Sequence, residues 1–350
     1  MNKLKTIFWI PSIALIVAFI LAACAPATLA PTTSPTQATS AQPTAVATKP
    51  LRVALALGGE INDGDWNQAG YEGLVAAEGK YGTRIETSYT EDVGDADMEK
   101  ALRDYASQGY DLIICHSSTA KEAVTKVAKD YPNIKFLWTD GDTTLPNLAV
   151  MRPMTQEASY LAGFLAGKLT KSNVVGLVGS IDIPSTHRGY AGFKLGLHDA
   201  NPNAKLLVNW TGSFSDIKGA KEATLSQIES GADIIDGNGG SLNVGTIQAA
   251  DEKGVLAIGA VRDQYNIAPK VVLTSVDWGF TGGFELVIGS ALDGSFKGQF
   301  YDIGLAQGAV LTPFHGNASK IPADVQEQLK QKTQDILDGK LKVPDVESGS

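Results

Sequence analysis

From residue 51 onward the chain alternates short apolar runs with helical periodicity, and this limits the available folds more than any other feature. Strand-like runs fall at 51–57, 84–89, 111–115, 134–139, 173–178, 205–208, 233–235, 255–258 and 271–274. Helical patterns separate or follow them at about 66–75, 98–108, 121–130, 159–169, 190–200, 218–230, 244–252, 280–292 and 323–337. Strands that alternate with helices pair in parallel and are covered on both faces, so the chain reads as α/β. The 300 residues from 51 to 350 are enough for two cores. A weak internal echo agrees with two halves: YASQGYDLII at 105–114 resembles IESGADII at 228–235, each reading helix, glycine stop, Asp, strand.

The first turn of this pattern carries the densest chemistry. The strand 51–57 runs into GGEINDGDWNQAGYEG at 58–73, where a helix starts near Trp66. In an open α/β sheet a loop after a strand faces the ligand crevice. Asn62, Asp63, Asn67 and Gln68 supply polar groups around the ring of Trp66, which suits a small, flat, polar molecule. The plainer alternative is a surface loop with Asp65 as helix cap and Trp66 packed inward.

Residues 62–73, NDGDWNQAGYEG, resemble the signature of the basic membrane protein, or PnrA-like, family, with Trp66 where Phe is usual. The likeness extends over about 51–340. It implies a lipid-anchored substrate-binding component of an ABC transporter, with permease and ATPase as partners and a purine nucleoside as ligand. Two similar α/β halves in an exported, tethered chain imply a two-lobed periplasmic-binding-protein fold of type I, each lobe a parallel sheet flanked by helices, with the ligand cleft between them. Crossings between lobes are expected near 151–153, Ser275 and 308–312, giving one lobe from 51–151 with 276–308 and another from 152–275 with 309–340.

The segment ahead of the body supports export. Lys3 and Lys5 precede an apolar run from Ile7 to Ala23, and LAAC at 21–24 fits a bacterial lipobox, so Cys24 is expected to carry the lipid after removal of 1–24. Residues 25–50 are Ala, Pro, Thr, Ser and Gln but for Leu29, Val46 and Lys49, the one charge, the composition of a disordered tether. The balance of 38 Asp+Glu against 29 Lys+Arg, with no basic block, argues against nucleic acid as partner. Once Cys24 is lipidated, Cys115 is the one remaining thiol, and in an apolar run it reads as a buried small hydrophobe. His116, His187, His198 and His315 lack metal-ligand spacing, and neither a Gly-x-Ser-x-Gly elbow nor a Cys-x-x-Cys pair occurs. The reading is a binding protein without cofactor or metal, not an enzyme.

The remaining candidates lie at later strand ends. Ser117, in HSST at 116–119, either caps the next helix or touches ligand. Asp140 before Gly141 is either a turn residue or a carboxylate that takes ligand hydrogen bonds, and the resemblance favours the second. Residues 212–216, GSFSD, resemble a family segment whose Phe stacks on the purine, which sets Phe214 opposite Trp66; Trp210 either shares that role or packs in the core. Asn238 and Gly239, in GNGGS at 237–241, allow close approach of backbone to ligand.

Two departures bear on the ligand. Where the family has a ribose-binding Asp and a ribose-contacting Lys, this chain has Val261 and Trp278. Arg262 or Asp277 stands near enough in sequence to hold the sugar instead, and Asp263 beside them is a further candidate ligand contact. A free purine base is therefore expected to bind at least as tightly as its nucleoside. The alternative reading keeps the fold but makes the protein a sensor subunit, or a binder of another solute such as a sugar.

Overall fold

The structure, a computed structural model, describes residues 49–348. The expected leader 1–24 with Cys24, and all but the last two residues of the 25–50 tether, lie outside the described residues. Two parallel sheets flanked by helices make up the body. The first lobe opens with β1 (Leu51–Leu57), α1 (Trp66–Tyr81), β2 (Ile85–Thr90), α2 (Asp95–Ser107) and β3 (Leu112–His116). It continues with α3 (Lys121–Asp130), β4 (Lys135–Thr139) and β5 (Leu148–Pro153).

The second lobe runs α4 (Gln156–Leu169), β6 (Val174–Gly179), α5 (Pro184–Ala200), β7 (Lys205–Trp210) and α6 (Ile217–Glu229). After these come β8 (Ile234–Asn238), α7 (Asn243–Lys253), β9 (Leu256–Val261) and β10 (Val272–Asp277). The chain then returns to the first lobe for α8 (Phe280–Asp293) and β11 (Phe300–Ile303), and ends on the second with α9 (Ala323–Leu337). Sheet orders are β11-β5-β4-β3-β1-β2 and β10-β9-β8-β6-β7.

Strand β1 shows why its sequence reads as one unbroken apolar run. Val53, Leu55 and Leu57 enter the core under α1 and α8, while Ala54 and Ala56 enter the one under α2 and α3, all fully buried. A strand covered on both faces has no position for a polar residue. Strands β5 and β11 were not in the sequence reading. β11 is a four-residue edge strand with one buried residue, too short and too exposed for a period to register. On the second lobe α4 and α5 meet backbone to backbone. A Cβ at Gly196 would stand 1.9 Å from the Tyr160 carbonyl oxygen, so that contact requires glycine.

The chain passes between the sheets at 154–155, at 278–279 and beyond Ile303. The last two passages lie side by side: Asp277 N–H donates to Val310 O at 2.8 Å, and Gly279 and Gly308 both have left-handed backbone. Burial pushes the Asp277 carboxyl at this hinge up to about 6, against the opposing hydrogen bond from the Gly279 amide.

Candidate functional site

The loop between β1 and α1 is shaped by Asp63. Its two oxygens accept the amides of Asp65, Asn67 and Gln68 and the side-chain amide of Asn67, at 2.9 to 3.1 Å. Asn67 in turn accepts Gly59 N–H at 3.0 Å. Asp63 is thus the residue that closes the helix start, and Asp65, the cap in the plainer alternative, makes no capping bond.

Asp65 instead reaches across to the second lobe. Fully buried, it accepts Gly240 N–H at 3.0 Å, Asn243 Nδ2 at 2.8 Å and Gln264 Nε2 at 3.0 Å. Burial pushes this carboxyl well above the usual carboxylate range, helped by the nearby Asp63 and opposed by its three donors. Gln264 also donates to Gly64 O at 2.9 Å. A second tie joins Arg262 to Glu72 through two bonds of 2.6 and 3.0 Å, and a third joins Ser185 Oγ to Asp140 at 2.7 Å.

Beside this clasp lies a cavity of about 490 Å³, within the range of small-molecule sites. Trp66 forms one wall. Its ring stacks on His116 with centroids 4.5 Å apart and meets the rings of Phe280 and Trp278 edge-on. Buried His116 is held neutral, pushed down to about 4 by burial against the opposing Trp66 carbonyl and Asp63 charge. Its Nε2 lies 2.9 Å from Trp66 O, which can only accept, so Nε2 carries the proton and Nδ1 accepts from the Thr139 hydroxyl at 3.1 Å. One face of the indole is thereby backed by a rigid ring. Phe214 enters the same cavity from the second lobe.

The wall is acidic. Glu60, Asp63, Asp92, Asp95 and Asp140 line it, with no Lys or Arg among them. Burial raises the Asp140 carboxyl, while the Ser185 hydroxyl and the Arg188 charge act against that rise.

Of the expected site residues, the cavity brings together Asp63, Trp66, Asn67, Ser117 and Asp140 from the first lobe with Phe214 and Gly239 from the second and Trp278 from the hinge. Asp63 and Asn67 form wall; the Asp63 oxygens take four hydrogen bonds from the loop itself, while Asn67 gives one of its two side-chain N–H groups to Asp63. Five candidates are elsewhere. Asn62 is exposed and off the wall. Trp210 lies on an edge strand, where its ring covers Gly179 and meets Tyr190 edge-on. Asn238 donates to Thr186 O at 2.7 Å within its own lobe. Arg262 is engaged by Glu72, and Asp263 by His315 at 2.6 Å and by the Tyr265 amide. Val261 is fully buried and off the wall, with a left-handed φ of 71° that is rare for a β-branched residue.

Sequence reasoning missed His116, met only as a scattered histidine, and the clasping role of Asp65. The one local trace of either was position: His116 ends β3 and Asp65 precedes α1.

The profile of the family described as ABC transporter substrate-binding protein PnrA-like matches residues 51–347. The chain belongs to this family. This PnrA-like protein is 30% identical over 266 residues to a purine-binding protein of Brucella abortus, covering 74% of this chain and 73% of that one. It is 28% identical over 291 residues to a Haloferax volcanii relative named as a candidate ABC transporter glucose-binding protein, covering 83% of this chain and 72% of that one. Among solved structures it resembles an ABC transporter solute-binding protein from Conexibacter woesei, with a TM-score of 0.71, 25% identity, and coverage of 85% of this chain and 100% of that one. The fold is the type I periplasmic-binding-protein arrangement. This PnrA-like protein is thus an extracytoplasmic solute-binding protein of an ABC transporter, with a small-molecule ligand and the transporter's permease and ATPase as partners. Among the described residues no helix is long and apolar enough to cross a membrane.

Proposed function

We propose that this PnrA-like protein captures an uncharged purine-type heterocycle between its lobes and presents it to the permease, tethered outside the membrane by a lipid on Cys24. The observation that carries this reading is the Trp66 ring, backed by His116, in an acidic cavity that Phe214 also lines from the second lobe. A flat ring stacked on an aromatic gains about 0.5–1.5 kcal/mol per ring pair beyond burial. Carboxylates such as Asp140 accept the N–H donors along a purine edge, and a wall without cations disfavours anionic ligands. The purine-binding relative supports the class.

Within that class the free base binds at least as tightly as the nucleoside. Trp278 presents an apolar ring on the wall where a ribose would need partners, and an unpaired buried hydroxyl costs roughly 1–3 kcal/mol. The second reading is a sugar, favoured by the same carboxylates with aromatic rings and by the glucose-binding name of one relative. Calorimetry with adenine, adenosine, guanine, guanosine and glucose separates these. Binding of glucose without any purine overturns the purine reading, and a clear preference for nucleosides overturns the base preference alone.

A further inference from the structure

A side compartment of about 440 Å³ adjoins the cavity, sharing Ser118, Thr119, Asp140, Ile183 and Phe214 with it. Its three cations differ in their partners. Lys121 pairs with Asp142 at 2.7 Å, and Arg152 grips Asp302 through two bonds of 2.7 and 2.8 Å, each within the first lobe. Arg188, on α5, is 1% exposed, and among the described residues its hydrogen bonds go to the C-terminal tail alone: Nε to Asp345 at 2.6 Å and an Nη to Glu347.

That tail is seated. Leu341 and Val343 pack on the main core, and Val346 lies in a groove of α5 with Tyr190 and Leu197. In an extended segment alternate residues face opposite sides, so 345 and 347 meet the guanidinium while 346 packs away from it. The tail also reaches the other lobe electrostatically, because Asp345 and Glu347 both act on Arg152.

We propose that Asp345 and Glu347 set the charge selectivity of the cleft, occupying Arg188 so that the site rejects ligands with an anionic extension such as a phosphate. Three carboxylates of the body, Asp140, Asp142 and Asp302, face the three cations of the compartment, and the tail adds two more. With the tail acids seated, an incoming phosphate meets excess negative charge. Without them the arginine beside the base cavity is free, and a guanidinium suits a phosphate in a bidentate grip. The inference deepens the purine reading and rests on it for the nucleotide, but the response of Arg188 to an anion does not depend on that reading.

The test compares the intact body with Asp345→Asn/Glu347→Gln. Melting is followed with inorganic phosphate against chloride at matched ionic strength, and calorimetry is run with adenine and adenosine 5′-monophosphate. The intact protein is expected to gain nothing from phosphate and to bind the nucleotide at least 100-fold more weakly than the base. In the double variant phosphate raises the melting temperature, and the nucleotide deficit narrows at least tenfold with base affinity unchanged. Adding Arg188→Gln abolishes the phosphate response. Should the double variant not fold, Glu347→Gln alone reads the same quantities. An unchanged phosphate response in the folded variant, or one that survives loss of Arg188, overturns the proposal. If no purine binds at all, the function fails while the phosphate arm still decides the role of the tail.

Discussion

Replacing Asp65 with Ala tests whether closure rests on the buried clasp. The substitution removes three hydrogen bonds that cross between the lobes and leaves Gly240 N–H, Asn243 Nδ2 and one Gln264 N–H facing an empty volume. At a net value of about 1 kcal/mol per bond the closed form loses about 3 kcal/mol. In the open form the same donors meet water, so the loss falls on the closing equilibrium and not on either lobe. Where closed protein is the minor form without ligand, the whole amount passes into apparent affinity, a weakening on the order of 100-fold. Arg262→Ala is the contrast. Its partner Glu72 has a side chain 43% exposed, and such pairs contribute about 0–1 kcal/mol, so affinity falls less than about fivefold. The assay is calorimetry with the best ligand, beside small-angle scattering to follow closure. An Asp65→Ala protein that binds within threefold of wild type, or one weakened no more than Arg262→Ala, refutes the reasoning.

Trp66→Ala weakens ligand binding by about 2 kcal/mol or more and lowers the melting temperature, since the indole both faces the cavity and covers His116; wild-type affinity in the folded variant makes Trp66 a packing residue only. His116 gives an acid limb to stability. Its folded value of about 4 lies below the unfolded 6.5, so the native state binds fewer protons between them. Stability is therefore full above pH 6.5 and falls as pH drops toward 4, by about 3 kcal/mol in total. The difference in unfolding free energy between wild type and His116→Gln, measured from pH 7.5 to 4, should carry this slope; a flat difference removes it. Cys24→Ser should release the protein from membranes without changing ligand affinity, and membrane retention by the variant would show that the apolar leader itself holds it there.

The sequence by itself determined the architecture, because burial writes itself into local periodicity. A strand covered on both faces, such as Val53 to Leu57, can hold only apolar residues, and a helix between two such strands repeats its apolar face every third or fourth position. That Trp66, Asp140 and Phe214 line the cavity was legible for a similar reason, as each follows the end of a strand where a parallel sheet opens its crevice. What a polar side chain does there was not legible. Asp63 and Asp65 stand two residues apart in one loop with the same chemistry. One ties the loop to itself, and the other joins residues at 240, 243 and 264. The same holds for Arg188 and the acids at 345 and 347, which sit more than 150 residues apart. A hydrogen bond across that separation leaves no period in the chain, and its partners are chosen only when segments built by local rules come into contact, between the lobes for Asp65 and within the second lobe for Arg188.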